Sequence, residues 1–241
     1  MLLIQHWQSH AKMIICKDLI LGYDKPITPK FNLTIDDNQW IGIIGKNGAG
    51  KSTFMKTILG NLAPNSGELQ ILGNIPGKLN HLISYIPQER EINLSDNMSG
   101  LNLILSSYRG QFWGLALYSK QLKQRAAELV ELVGATAYAH QAFNTLSGGQ
   151  KKRIYLAQAL INQPRLLLLD EPLADLDPHA KQHFIEALQQ IHRYQQLGLF
   201  IISHDMHEIA SHLDAFIHFS GSGVHFCETI ECVKEDSYVG I

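Results

Sequence analysis

The chain has 241 residues, of which 45% are hydrophobic, so it can bury the core of one large domain. Its 20 lysines and arginines face 22 aspartates and glutamates, and the formal net charge of -2 provides no overall basic field that would attract nucleic acid. Cys16, Cys227 and Cys232 are too few and too scattered for a disulfide framework and suit a reducing, cytoplasmic compartment. The pattern predicts neither a signal peptide nor an apolar run of the roughly 18 residues that span a membrane.

The first predicted elements form an antiparallel edge. Residues 13–22, MIICKDLILG, have the composition of a strand, and after a turn at Lys25 and Pro26 the segment FNLTI predicts its antiparallel partner. The next run, WIGIIG at residues 40–45, is apolar and ends in glycine, which is typical of a buried parallel strand. We therefore expect a hairpin edge followed by a buried sheet.

A glycine loop follows this buried strand directly. Residues 45–52 match G-x-x-x-x-G-K-[ST], and the segment STFMKTILG predicts the helix that must come next. In such a loop the backbone N–H groups surround the β-phosphate, the Lys51 ammonium reaches the β- and γ-phosphates, and the Ser52 hydroxyl binds Mg²⁺. The alternative, a glycine turn with a chance Lys-Ser pair, does not explain the position of the motif between strand and helix. The residues predicted to bind nucleotide here are Gly45, Lys46, Asn47, Gly48, Ala49, Gly50, Lys51, Ser52 and Thr53.

The middle of the chain changes to helical spacing. From Ser95 to about Asn144 strand signals are few, which predicts a helical subdomain over approximately residues 89–145. Helices and strands then alternate, with strands at RLLLLD, LFIISH and AFIHF and helices at KKRIYLAQALI, HAKQHFIEALQQIHRYQQ and DMHEIASHL. The predicted fold class is α/β, a P-loop NTPase core with an antiparallel β edge and an inserted α-helical subdomain, and residues 1–241 are expected to form a single domain.

The strand RLLLLD ends in one carboxylate, Asp170, and a second one, Glu171, follows directly. Open α/β sheets place their ligands at the carboxyl ends of the strands. We therefore expect Asp170 to hold Mg²⁺, and Glu171, which points to the other side of the strand, to polarise a water in line with the γ-phosphate. The alternative is a strand end that is merely capped by solvated acids.

Two adjacent glycines, Gly148 and Gly149, occur at the N-terminus of a predicted helix in TLSGGQ, residues 145–150. Ser147 fits an N-cap, and an apolar stripe follows at Ile154, Leu156, Ala157, Leu160 and Ile161. In a helix interior glycine costs up to about 1 kcal/mol of stability. At the N-terminus it leaves space for a ligand, at the point where backbone N–H groups face outward and the helix dipole is positive. This arrangement indicates a binding site for an anion.

The sequence LSGGQ, with the phosphate loop before it and LLLLDE after it, resembles the signature of ATP-binding cassette ATPases, and the resemblance extends over about residues 14–219. It implies a head-to-tail homodimer that sandwiches two ATP molecules, in which the signature of one subunit caps the γ-phosphate held by the phosphate loop of the other. The signature residues that would bind ATP are Ser147, Gly148, Gly149 and Gln150. Because no catalytic position of the family is missing, both sites are expected to hydrolyse ATP.

Four further positions are carried over from the resemblance. Tyr23 matches the aromatic residue that stacks on adenine, although a half-buried strand tyrosine is the alternative. Gln88 matches the glutamine that joins the shell of Mg²⁺ and the nucleophile, and His204 matches the switch histidine that contacts the γ-phosphate and orients the attacking water. Asp177 matches the loop that links the two active sites, a loop in which Asp175 departs from the usual family sequence.

The resemblance also concerns transport. With one cassette and no predicted membrane span, the chain resembles the separate ATPase subunit of a bacterial importer, and the ATPase of an importer with another cargo or of an exporter is the alternative. This implies integral membrane permease subunits, an extracytoplasmic substrate-binding protein and a cytoplasmic location, peripheral on the inner face of the cell membrane. Residues 106–126, SSYRGQFWGLALYSKQLKQRA, are similar to a segment of cassettes for zinc, manganese and iron-chelate uptake, although Tyr108, Phe112 and Trp113 equally suit packing of the helical subdomain.

Three other interpretations are less favoured. A DNA-repair or chromosome-maintenance ATPase needs a long coiled-coil or zinc insertion between the phosphate loop and the signature, where this chain has no room for one. A translation-acting cassette protein usually has two cassettes and a basic character, so no nucleic-acid partner is expected. Direct metal binding by His225, Cys227 and Cys232 is also disfavoured, because their spacing matches no standard zinc pattern.

Overall fold

The computed structural model describes residues 12–88, 98–108, 118–203 and 206–230. Contacts between residues divide the chain into two compact units, unit 1 with Met1–Asn80 and Asp214–Ile241 and unit 2 with His81–Leu213. The strands are β1 (Lys12–Ile20), β2 (Phe31–Asp36), β3 (Trp40–Gly45), β4 (Ser66–Ile71), β5 (Ile83–Ile86), β6 (Leu166–Asp170), β7 (Gly198–Ile202), β8 (Ala215–Phe219) and β9 (Val224–Cys227). The α-helices are α1 (Lys51–Ile58), α2 (Gly100–Ser106), α3 (Lys120–Leu132), α4 (Gly148–Leu160) and α5 (Pro178–Tyr194).

Unit 1 contains the predicted antiparallel edge. Strand β1 pairs with β2 on one side and with β4 on the other, both in antiparallel orientation, and Ile14 lies opposite Ile35 and Ile71. Alternate residues of β2 are buried, which is the period expected for a strand with one face on the core. The predicted hairpin is therefore confirmed, and β4 is a third strand that the sequence analysis did not predict.

The buried strand of unit 1 is β3. It runs parallel to β8, with Ile41 opposite Ala215 and Gly45 opposite Phe219, and β9 continues this sheet antiparallel to β8. The side chain of Phe219 packs against Phe54 of α1, with ring centroids 5.8 Å apart. This contact fixes α1 against the end of β8, directly after the glycine loop.

Unit 2 contains three parallel strands in the order β5, β6, β7. Residues Leu166 to Leu169 of β6 have no exposed surface, as expected for the central strand of a parallel sheet. The described residues from Met98 to Thr145 form α2, α3 and a short 3₁₀ turn. Their helical content agrees with the helical interpretation, while the bounds 89–145 stay a prediction because residues 89–97 and 109–117 lie outside the described ranges.

Two expectations need correction. Residues 206–212 do not form the predicted α-helix but two 3₁₀ turns, Met206–Glu208 and Ala210–His212, because Ile209 between them has φ -115° and interrupts the helical backbone. Cys227 is disulfide-bonded, whereas Cys16 is a buried free thiol whose pKa burial raises to about 12. A bridge at Cys227 differs from the expectation of reduced cysteines, although one bridge is not a disulfide framework.

Helix α4 depends on a side chain from α3 at its C-terminal end. The last turn of α4 contains no basic residue of its own. Instead the half-buried Arg125 guanidinium donates from Nε to the carbonyl of Ile161 and from Nη2 to the carbonyl of Leu160, both at 2.9 Å. These carbonyls are among the groups that a helix end leaves without intrahelical donors, so Arg125 joins the two helices where α4 ends.

The variant Arg125→Met should lower the free energy of unfolding by about 2 kcal/mol, because hydrogen bonds to a charged group are lost while the aliphatic length is kept. Urea unfolding followed by circular dichroism measures this change. Lys123→Met on the exposed face of the same helix is the control, expected to shift stability by less than about 0.5 kcal/mol. Equal stability of the two variants would show that Arg125 does not hold the end of α4.

Candidate functional site

The phosphate loop begins where β3 leaves the sheet. Gly45 has φ 146°, and a Cβ added there would lie 2.3 Å from the carbonyl oxygen of Phe219. Only glycine satisfies both conditions. Gly50 (φ 109°) is the N-cap of α1 and has no side chain to satisfy the first backbone N–H groups of the helix. The intervening residues Lys46, Asn47 and Gly48 are exposed, and Ala49 is half-buried.

Lys51 is buried, and its ammonium donates to the carbonyls of Gly45 and Lys46 at 2.7 and 3.1 Å. It therefore lies against the loop rather than out in solvent. Ser52 is exposed on the first turn of α1, whereas Thr53 is buried. A lysine, a hydroxyl and the N-terminus of an uncapped helix together suit an anion that carries several negative charges.

Tyr23 lies in the loop after β1 rather than in the strand, and it is 52% exposed. The Lys56 ammonium donates to its hydroxyl at 3.2 Å and lies 5.8 Å from the ring centroid. Asn65 donates to the Tyr23 carbonyl at 2.9 Å. The half-buried strand tyrosine considered from the sequence does not occur, and the ring is presented on the surface.

In unit 2, strand β6 ends at the half-buried Asp170. The Tyr85 hydroxyl donates to Asp170 Oδ2 at 3.2 Å. Burial, together with the charge and hydrogen bond of Asp170, raises the pKa of Tyr85 to about 12. The phenol thus stays protonated and oriented toward this carboxylate, a partnership that the sequence analysis missed because it depends on the pairing of β5 with β6.

Glu171 has an unusual backbone conformation for a residue with a side chain. It has φ 49°, is 6% exposed, and its N–H donates to the carbonyl of Ile202 at 2.9 Å. A non-glycine residue in the left-handed region costs free energy, and such residues concentrate at functional sites. The carboxylate is therefore held away from bulk solvent by the way the chain leaves β6.

The signature helix α4 begins with the predicted cap. The Ser147 hydroxyl accepts from the N–H of Gln150 at 3.3 Å, and Gln150 Oε1 accepts from the N–H of Ser147 at 2.9 Å. The S-x-x-Q pattern is typical of this reciprocal capping box, so Gln150 has a structural role in addition to the ligand binding expected from the sequence. A Cβ on Gly149 would lie 2.8 Å from the Cβ of Ala180, whereas a Cβ on Gly148 would meet nothing within 4 Å.

Three distant segments of unit 2 line one cleft of about 200 Å³. Gln88 follows β5, Gly148 begins α4 and Glu171 follows β6, and all three border this cleft. The other lining residues are Ile86, Pro87, Lys151, Lys152, Tyr155, Pro172 and Phe184. Three residues selected from separate sequence motifs are thus brought to one place.

Asp177 and Asp175 have distinct backbone roles before α5. Asp177 is the N-cap, with its Oδ1 accepting from the N–H of Ala180 at 2.9 Å and Pro178 in the first turn. Asp175 has φ 59°, a conformation that aspartate adopts more readily than most residues. Gln88 is exposed, and His204, the predicted switch residue, lies outside the described residues.

Two of the three C-terminal residues considered as metal ligands, His225 and Cys227, lie among the described residues. Across the described ranges no three His, Cys, Asp or Glu side chains group as metal ligands. A disulfide-bonded Cys227 has no thiolate to donate, and Cys232 lies outside the described residues. Among the described residues of the whole chain, no helix is long and apolar enough to cross a membrane.

The glycine loop after a buried strand, together with the acidic end of a second buried strand, defines a P-loop nucleotide-binding protein. The family model described as ABC transporter matches residues 29–174, so the chain belongs to the ATP-binding cassette family and is the ATP-binding and ATP-hydrolysing subunit of a transporter. Transporters of this kind have membrane permease subunits, and the resemblance noted in the sequence is confirmed.

Relatives with similar identity have names that differ in cargo. A zinc transport system ATP-binding protein, TroB, of Treponema pallidum is 31% identical over 198 residues, covering 82% of this chain and 74% of that protein. A phosphonates import ATP-binding protein, PhnC, of Treponema denticola is 32% identical over 205 residues, covering 80% of this chain and 79% of that protein. The structure of cbiO1 from Clostridium perfringens has a TM-score of 0.81 at 22% identity, covers 95% of this chain and 92% of that one, and confirms the fold.

The variant Gly149→Ala should lower the free energy of unfolding by about 1 to 3 kcal/mol, because the new methyl group overlaps Ala180. Gly148→Ala is the matched control. Open space surrounds that position, so its stability should be unchanged or higher by up to about 1 kcal/mol. Thermal unfolding of the two variants measures the difference, and a Gly149→Ala protein as stable as Gly148→Ala would contradict the close packing of α4 on α5.

Proposed function

We propose that this subunit binds ATP together with Mg²⁺ in a head-to-tail homodimer and uses its hydrolysis to import a metal ion or metal chelate. The observation that carries the hydrolytic part is the cleft of unit 2, where Gln88, Gly148 and Glu171 from three separate segments meet. In this proposal the glutamine and the buried carboxylate suit the phosphate and the attacking water of the chain's own ATP, whereas the glycine N-terminus of α4 at the border of the same cleft would face the ATP of the partner subunit. The domain interpretation, one cassette with a helical subdomain over about residues 89–145, belongs to the same proposal.

The residues of the phosphate loop are proposed to bind the nucleotide. Lys51, whose ammonium already interacts with two oxygen acceptors, would bind the β- and γ-phosphates. The backbone N–H groups of residues 45–53 would surround them, and the exposed Tyr23 ring would stack on adenine. The signature residues Ser147 to Gln150 would contact the ATP of the partner subunit, and the Ser147 hydroxyl accepts a hydrogen bond from the N–H of Gln150.

The chain also offers donors that suit Mg²⁺. Ser52 supplies an exposed hydroxyl, Asp170 a half-buried carboxylate oriented by Tyr85, and Gln88 an exposed amide oxygen, and hard oxygen ligands are those that Mg²⁺ prefers. When bound, Mg²⁺ neutralises charge that develops on the phosphate oxygens. These three residues are the proposed ligands.

Glu171 is the proposed general base. Its carboxylate is buried and lines the cleft, so it is desolvated beside the space where a water would attack. Asp170, one residue earlier, is hydrogen-bonded to Tyr85 and is better suited to a ligand role. Two adjacent carboxylates would thereby have different tasks because their surroundings differ. His204 is proposed to orient the same water, and Asp177 to link the two sites of the dimer.

The variant Glu171→Gln should still bind ATP but hydrolyse it at least about 100-fold more slowly, because an amide cannot accept the proton of the water. At saturating ATP and Mg²⁺ it should accumulate as an ATP-bound dimer, which size-exclusion chromatography with light scattering detects. Glu186→Gln, on the exposed face of α5, removes the same charge and is expected to behave as the native chain. A Glu171→Gln variant that stays monomeric with ATP bound would count against the sandwich.

The transport partners are proposed to be separate permease subunits together with an extracytoplasmic substrate-binding protein. The chain would then lie in the cytoplasm, on the inner face of the cell membrane. The cargo proposal is supported by the zinc relative TroB and by the similarity of residues 106–126 to metal-uptake cassettes. Of the aromatic residues in that segment, Tyr108 is half-buried, and Phe112 and Trp113 lie outside the described residues.

Source cells grown under metal limitation provide the test of cargo. Replacing the native chain with Glu171→Gln should lower cellular manganese, zinc or iron selectively, and elemental analysis measures this. Unchanged metals with lost growth on a phosphonate as phosphorus source would instead assign the cargo of the PhnC relative. Either result leaves the ATPase assignment intact.

A non-transport ATPase acting on DNA or ribosomes is the remaining alternative from the sequence. Between the phosphate loop and the signature, the longest helix among the described residues is α3 with 13 residues, much shorter than a coiled-coil arm. Sedimentation separates the two classes, because the proposal predicts that the chain accompanies membranes rather than ribosomes or DNA.

A further inference from the structure

Lys152 lies one turn inside the signature helix α4 and reaches a different segment of unit 2. Its ammonium donates to the carbonyl oxygen of Ala174 at 2.5 Å. Ala174 belongs to the loop between β6 and α5, which begins with Glu171 and ends with Asp177. A single side chain thus joins the signature helix to the loop that carries the proposed general base.

This loop is tightly folded around the carbonyl that Lys152 binds. The N–H of Ala174 donates to the carbonyl of Glu171 at 3.2 Å, which closes a turn. Glu171, at the start of this turn, and Asp175, directly after it, have φ 49° and 59°. A non-glycine residue in the left-handed conformation costs free energy and keeps this conformation only where surrounding contacts enforce it. The hydrogen bond from Lys152 to the Ala174 carbonyl, between Glu171 and Asp175, therefore helps to keep both residues in this conformation.

The electrostatic setting is consistent with this contact. Lys152 is half-buried and lines the same cleft as Glu171. Burial lowers the pKa of its ammonium, and the carboxylates of Asp175 and Glu171 oppose that shift. Its positive charge therefore lies near both carboxylates, and a charged hydrogen bond in a partly desolvated cleft is stronger than one at the surface.

We propose that Lys152 is a positioning residue for hydrolysis: by holding the Ala174 carbonyl it fixes the backbone of Glu171 and connects the signature helix to the catalytic carboxylate. The inference rests on the proposed role of Glu171 as general base. Lys152 need not touch ATP, so it should govern how fast bound ATP is hydrolysed rather than how tightly ATP is bound. Displacement of a catalytic group by about 1 Å can cost up to about 100-fold in rate.

The test compares ATP turnover of the full native chain with Lys152→Met, which keeps the aliphatic length but loses the donor and the charge. We expect kcat to fall about 10- to 100-fold while KM and the dissociation constant for ATP change less than about 2-fold. Lys152→Arg, which keeps charge and donors, should recover most of the rate. Lys123→Met on the exposed face of α3 should match the native chain, and unfolding temperatures of all variants verify that each is folded.

A double-mutant cycle with Glu171→Gln separates positioning from general damage to the fold. If Lys152 acts through Glu171, then adding Lys152→Met to Glu171→Gln should cause little further loss of single-turnover rate. The proposal would be overturned if Lys152→Met lowered the single-turnover rate by the same factor in the native and the Glu171→Gln chain, or if Lys152→Met had the native kcat. In either case, slow hydrolysis by Glu171→Gln would leave the proposed function intact. A Glu171→Gln variant that turns over at the native rate would overturn the role of Glu171 and this inference with it.

Should Lys152→Met prove unfolded, Lys152→Gln provides the second variant, because its neutral amide is shorter but still a donor. An intermediate kcat with unchanged ATP affinity is then expected. A native kcat for this folded variant would equally overturn the positioning role.

Discussion

The glycine loop that is proposed to bind phosphate depends on the close approach of two strand ends. At Gly45 the backbone of β3 comes so near the carbonyl of Phe219 in β8 that a Cβ has no space. The chain can therefore turn out of the sheet at this point only with glycine, and the loop, Lys51 and α1 follow from that turn. Phe219 also packs on Phe54, so the same strand end that excludes a side chain at Gly45 supports the helix after the loop.

The glycine-rich N-termini of α1 and α4 differ in how their backbone N–H groups are hydrogen-bonded. Helix α1 starts at Gly50 without a side-chain cap, whereas α4 starts with the reciprocal hydrogen bonds of Ser147 and Gln150. An uncapped N-terminus leaves its N–H groups to solvent or ligand, and a capped one has already used part of them. This difference agrees with a first loop that would surround phosphates and a second that would contact a phosphate already bound.

Local patterns in the sequence predicted the features that depend on neighbouring residues. The alternation of β2, the apolar runs of β3 and β6 and the Ser147 cap all follow from period or composition. The missed features depend on tertiary pairing: β4 is defined by β1, the Tyr85 bond to Asp170 by the pairing of β5 with β6, and the Lys152 bond to Ala174 by packing within unit 2. The prediction of an α-helix over residues 206–212 was wrong for another reason. A short amphipathic sequence has the same apolar spacing whether its backbone forms an α-helix or 3₁₀ turns.

The most direct test of the account is the affinity of the purified chain for ATP with Mg²⁺, measured by calorimetry for the native protein and for Lys51→Ala. Removing the buried Lys51 ammonium, which is proposed to contact phosphate, should weaken binding about 100-fold or more, while Lys30→Ala at an exposed site should bind as the native chain does. An unchanged dissociation constant for Lys51→Ala would contradict the assignment of residues 45–52 as the nucleotide site.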